Sequence, residues 1–162
     1  RRLTGLYRAP SDPAVDAVLQ WARTGFTDRV LAATDVRTIT RGLRSGDVTW
    51  FATDLEVRGR GTVFADFFGI PASTSTSLGR LAGMTDAVVL PVRLRPDPET
   101  GRQVLEIFPP LEGFPSGDPK ADTEAMNAAI EALIRDDPEH YWWCLERFKK
   151  RPKGAAAVYT SE

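Results

Sequence analysis

The chain has one cysteine, Cys144, and one histidine, His140, among its 162 residues. A single cysteine excludes an intrachain disulfide framework and fits a reducing compartment. Zinc-ligand clusters are missing, and a nucleophilic triad has only this one pair, four residues apart, to draw on. No orienting group or oxyanion loop accompanies the pair, so Cys144 reads as a buried structural thiol. Long apolar runs are also lacking. Ala87 to Val92 and Tyr141 to Leu145 are among the longest, far short of the roughly 20 residues that a membrane-spanning helix needs. Neither G-x-x-x-x-G-K nor a dinucleotide fingerprint occurs, which removes the phosphate loops of nucleotide folds.

What is present is an ordinary globular composition, 42% hydrophobic and 27% charged, in a length that suits one domain. The chain opens Arg1-Arg2-Leu3 with no signal-peptide pattern and reads as a fragment or a processed product. The net charge of −1 is unevenly spread: +3 over residues 1–60, −8 over 61–146 and +4 over 147–162. Of the 21 basic residues 17 are arginine, whose planar fork clamps phosphates and carboxylates with paired hydrogen bonds. The expectation is a single domain over residues 1–162 whose segment 147–162 is a basic tail.

Periodicity and punctuation place the elements. Leu3 to Arg8 reads as a strand, and Ser11-Asp12-Pro13 starts a helix on which Val15, Val18, Leu19, Ala22 and Phe26 recur at helical spacing. A strand near Arg29 to Ala32 precedes a helix capped by Thr34-Asp35 and stopped at Ser45-Gly46. Asp47 to Thr53 reads as a strand buried on both faces. The run Ser73 to Ser77 reads as the cap of a helix through Leu78, Leu81 and Met84. Ala87 to Arg95 and Gln103 to Phe108 form a hairpin, and Asp122 to Asp136 an amphipathic helix.

Candidate chemistry gathers in three places. Asp54 begins a charged loop running to Gly61, and sites of open α/β sheets form beyond the carboxyl ends of strands. Arg58 and Arg60 in that loop can meet phosphates or sugar carboxylates, or stand solvated in a turn. Phe64, Phe67 and Phe68 beside Gly69 can wall an acyl chain or pack the core. Trp142 and Trp143 with Arg147, Phe148, Lys149, Lys150 and Arg151 combine aromatic rings and positive charge as interfacial segments do. The run is short and the body acidic, which favours a membrane surface over nucleic acid.

In this order the pieces resemble the late acyltransferases of bacterial lipid A biosynthesis, a branch of the lysophospholipid acyltransferase superfamily. The resemblance rests on Leu6-Tyr7-Arg8-Ala9-Pro10, the helix from Asp16 to Arg23, Asp54, and Val63 to Thr74 with its Asp66-Phe67-Phe68-Gly69-Ile70-Pro71-Ala72 core. It continues through Leu81-Ala82, Pro109-Pro110-Leu111-Glu112, Pro138 to Trp143 and Arg147-Phe148-Lys149-Lys150-Arg151-Pro152, covering roughly residues 3–153. It implies an α/β fold, a mixed central β-sheet flanked by helices as in glycerolipid acyltransferases, with this chain as the C-terminal portion. It also implies transfer of a fatty acyl chain from acyl carrier protein to a hydroxyl of a Kdo-lipid A precursor. That reaction runs without a cofactor or metal, at the cytoplasmic face of the inner membrane. The family's proton-transfer element, a histidine followed five residues later by Asp or Glu, does not occur here: Leu145 stands five residues after His140. Two functional positions carry over, Arg23 and Asp54, as catalytic candidates. Arg58, Arg60, Phe64, Phe67, Phe68 and Gly69 are substrate-binding candidates. Leu145 and Glu146 replace a His and an Arg that the family commonly has before its Arg-Phe-Lys. Two alternatives stay open: another phospholipid or glycolipid acceptor, and a non-catalytic lipid-binding fragment.

Overall fold

Asp-Pro steps start two of the helices. In the computed structural model, which describes residues 1–57 and 59–159, α1 (Pro13–Thr24) follows Asp12, whose carboxylate accepts the Ala14 and Val15 amides. Asp118 caps α4 (Pro119–Asp136) in the same way through Lys120 and Ala121. In both, proline occupies the first turn, where a missing N–H costs nothing. The chain divides into two compact units, residues 1–52 with 84–87, and residues 53–83 with 88–162.

The first unit is a parallel sheet. β1 (Leu3–Tyr7) lies between β2 (Arg29–Ala32) and β3 (Val48–Trp50), parallel to both. Parallel neighbours need crossover connections, and α1 and α2 (Val36–Arg44) supply them. Ile39 of α2 is the apolar centre at 1% exposure. The hydroxyl of buried Thr4 accepts from Arg29 Nε at 2.8 Å, and Arg29 Nη2 pairs with Asp47 at 2.7 Å. Gly42 keeps that guanidinium in place, because a Cβ there would run into it.

Two sequence expectations change in this unit. β3 has three residues, with Val48 and Trp50 exposed, rather than a seven-residue strand buried on both faces; among the described residues it pairs with β1 alone. More consequentially, α1 buries no residue. Its apolar side chains Val15, Val18 and Trp21 point to solvent, Trp21 at 79% exposure. The part-buried positions are Asp16 and Arg23, and Gln20 bonds to Tyr7 of β1. The helix thus turns its polar stripe toward the sheet.

The second unit is built around a hairpin and a helix. β4 (Thr62–Phe67) and β5 (Ile70–Ser75) pair antiparallel through a two-residue turn. α3 (Ser77–Thr85) follows, its Met84 and Thr85 counted with the first unit. β6 (Val92–Pro96) pairs antiparallel with β7 (Gln103–Ile107), and a single 3₁₀ turn, Pro138–His140, follows α4. Phe67, Ala72 and Ile134 form the core, joined by half-buried Ile130, Tyr141 and Phe148. Burying a side chain such as Phe67 or Ile134 contributes about 1.5–3 kcal/mol. α4 is also tied to the first hairpin by polar bonds. Asn127 Nδ2 donates to Asp66 O at 2.9 Å, and the Phe68 amide donates to Glu131 at 2.7 Å.

The α/β class stands, with the strands distributed, among the described residues, over one three-stranded parallel sheet and two antiparallel pairs. The sequence reading does not see β5. The first three residues of the hydroxyl-rich run, Ser73 to Ser75, end that strand, in which Ala72, Ser73 and Thr74 are buried; the expected helix does follow, as α3, and Ser75 Oγ accepts the Ser77 amide at its start.

Candidate functional site

In the first unit the candidate is Arg23. Tyr7 ends β1 and α1 crosses it so that Gln20 Nε2 donates both to the Tyr7 hydroxyl at 2.9 Å and to Asp16 Oδ2 at 2.8 Å. The ring fixed in this way lies under the Arg23 guanidinium, 5.3 Å from Cζ, within cation–π range. Arg23 Nη1 and Asp16 Oδ1 are shielded from solvent and have no hydrogen-bond partner. Shielded polar atoms without partners are costly, which singles out Arg23 and Asp16 on α1.

In the second unit the candidate is Asp54, on a loop held at several points. The Val57 amide donates to Ser73 O at 3.3 Å, and Ser73 Oγ donates to Val57 O at 2.7 Å. Arg147, 2% exposed, reaches in from the C-terminal segment. Its Nη1 donates to Leu55 O at 3.0 Å and to Ser73 O at 2.9 Å, and its Nη2 to Thr74 Oγ1 at 2.7 Å. The guanidinium also stacks on Phe67, 5.5 Å from the ring centroid. Burial lowers the Arg147 pKa, opposed by Tyr141 and by the Asp54 and Glu56 carboxylates. Tyr141, half-buried, has its phenol pushed up to about 12 by burial and then by the Asp54 charge. Asp54, part-buried, therefore acts on the charges of Arg147 and Tyr141, with Glu56 and Tyr159 in the same cluster.

The remaining predicted residues separate. Arg58 lies outside the described residues. Arg60 is exposed on the same loop and open to an anion. Phe64 and Phe67 alternate to opposite faces of β4, so the phenylalanines do not form one wall. Phe67 is in the core, while Phe64 is half-buried with Lys150 Nζ 5.6 Å from its ring centroid. Phe68 and Gly69 make the turn, with φ of 52° and 74°. A bulky residue is uncommon at such an angle. Phe68 is held there by its amide bond to Glu131, by edge contact with Phe67 at 4.9 Å, and by Arg135 at 4.8 Å over its ring.

The basic segment differs most from its sequence reading. Trp142 and Trp143 are exposed, but Arg147 is buried and Arg151 donates to Pro71 O and Ala156 O. Lys149 pairs with Glu146. Both arginines of the segment thus bind the protein's own carbonyls. Cys144 is exposed, not a buried thiol, and His140 Nδ1 lies 2.7 Å from Asp137 Oδ1. Sequence reasoning passed over Tyr141 and Arg147 as site residues because their partners are up to 92 positions away.

Comparison with known proteins decides the family. Residues 2–150 match the model of the bacterial lipid A biosynthesis acyltransferases. The chain belongs to this family. It is 31% identical to the lipid A biosynthesis lauroyltransferase of Escherichia coli K12 over 96% of its own length and 51% of the relative's. Identity to the palmitoleoyltransferase of the same organism is 31%, over 91% and 49% of the two chains. Identity to its myristoyltransferase is 25%, over 98% and 50%. The chain spans about half the length of these relatives. Membership fits the α/β fold and puts Arg23 and Asp54 within the matched segment.

Proposed function

We propose that the protein takes part in transferring a fatty acyl chain from acyl carrier protein to a hydroxyl of a Kdo-lipid A precursor, at the cytoplasmic face of the bacterial inner membrane. The observation that carries this reading is the collinear family match over residues 2–150. The geometry adds a fitting part: an arginine stacked on Tyr7 whose Nη1 is shielded and unpartnered. In acyl transfer the acceptor hydroxyl attacks the donor's thioester carbonyl, negative charge grows on the carbonyl oxygen, and the thiol leaves. Arg23 supplies a fixed donor for that charge or for a substrate phosphate. Asp54, on its clamped loop, orients the acceptor. Arg60 meets phosphate or sugar carboxylate, and exposed Trp142 and Trp143 rest at the lipid surface.

The hydroxyl proton needs a base, and the family's histidine–acid pair is not among these residues. Residues 1–162 alone are therefore expected to give no turnover with acyl-[acyl carrier protein] and a Kdo-lipid A precursor. Turnover by this chain would sink the mechanism. The complete gene product is expected to add one acyl chain, read by mass spectrometry of lipid A from cells with and without the gene. An unchanged lipid A profile with an altered phospholipid or glycolipid would establish the other acceptor, which the replacement of His and Arg by Leu145 and Glu146 favours. No lipid change at all would leave a lipid-binding role. In the active protein Arg23→Ala should reduce turnover by about 100-fold or more; near-normal turnover would return Arg23 to structure.

A further inference from the structure

We infer that Arg147 is a positioning residue for Asp54, a buried cation whose bonds to Leu55 O, Ser73 O and Thr74 Oγ1 fix the loop that presents the aspartate. The inference rests on the proposed role of Asp54. A buried arginine normally answers a carboxylate directly. Here, instead, two donors of one nitrogen bridge the Asp54 loop and β5, and the other nitrogen takes a β5 hydroxyl. Leu55 O belongs to the residue next to Asp54, so the bridge acts one peptide from the carboxylate. The Ser73–Val57 bonds hold the far end of the same short segment. Phe67 forms the floor under the guanidinium, and Phe67 is itself locked into the core by Phe148, the residue after Arg147, with ring centroids 6.1 Å apart. The Arg-Phe pair thus inserts as one piece: the phenylalanine joins the core and the arginine reaches the loop. Arginine suits this work because its planar fork serves several oxygens at once, where a lysine presents a single point charge. The Asp54 and Glu56 charges help to keep the buried guanidinium protonated against the cost of burial.

The test uses Arg147→Met, Arg147→Lys and Ser73→Ala in the complete gene product, with two readouts: steady-state acyl transfer, and hydrogen exchange along the chain. Misplacing a catalytic group without removing it lowers turnover while leaving donor binding intact. Arg147→Met should therefore reduce kcat by about 10- to 100-fold at near-unchanged KM for the acyl donor. Exchange at residues 55–57 should rise about tenfold or more while α4 stays protected. Ser73→Ala, which loosens the other end of the loop without touching a charge, should move both readouts in the same direction but less. Arg147→Lys should recover only part of the loss. Wild-type kcat in folded Arg147→Met, or exchange that rises equally in α4, would overturn the inference and leave Arg147 as general scaffolding. If Arg147→Met does not fold, the other two variants decide, and unchanged exchange at 55–57 in both overturns it. If the wild type transfers no acyl group, it is the proposed function that falls, and the exchange data still report whether Arg147 holds the loop.

Discussion

Glu106 on β7 accepts from Arg93 Nε at 2.7 Å and from Arg95 Nη2 at 2.8 Å, and Arg93 also bonds Asp136 of α4. The two guanidinium groups, Arg95 ahead of Arg93, hold the Glu106 carboxyl at about 2 against 4.5 for a free side chain. A depressed folded-state pKa means that the unfolded chain takes up the proton first. The contribution of Glu106 is therefore complete above pH 4.5 and is lost as pH falls through about 2. Carbon-detected titration of the Glu106 carboxyl should show a midpoint near 2, and Glu106→Gln should make stability less sensitive to pH below 4.5. A midpoint at the ordinary glutamate value would count against the pair.

Among the elements, α1 teaches most. Its apolar spacing marks Val15, Val18 and Leu19 as a packing face, and local rules place its cap and its end correctly. Which face meets the sheet is settled instead by Tyr7, whose hydroxyl binds Gln20 and whose ring receives Arg23. Trp21→Gln or Val18→Gln should accordingly cost this chain no more than about 0.5 kcal/mol in urea denaturation. Ile39→Ala, at the centre of the same unit, should cost about 2–5 kcal/mol. Equal losses would mean that α1 packs the other way round. The helices α1 to α4 and the β6–β7 hairpin were legible because caps, prolines and turns act over a few residues. β5 was not, since Ser73 and Thr74 make an acceptable buried strand only once Arg147 answers their oxygens. Arg23 and Asp54 came from family resemblance, and the groups that hold them could not be read from spacing.

At the scale of the whole molecule, all four tryptophans, Trp21, Trp50, Trp142 and Trp143, are exposed. Unfolding should therefore shift tryptophan emission little while far-ultraviolet dichroism reports the loss of the helices. A large red shift would require an indole buried in the native chain. The second unit also closes late. Leu55 waits for an arginine 92 residues further along; at the roughly 5–20 residues per second of protein synthesis, that is an interval of about 5–18 seconds. During it the growing chain has its aspartate loop, β4 and β5 but no strut between them, and the hydroxyls of β5 are open to water or to a chaperone. A premature stop codon anywhere before residue 147 would make that interval permanent, so a truncation that spares Asp54 would act on it as a mutation beside it would.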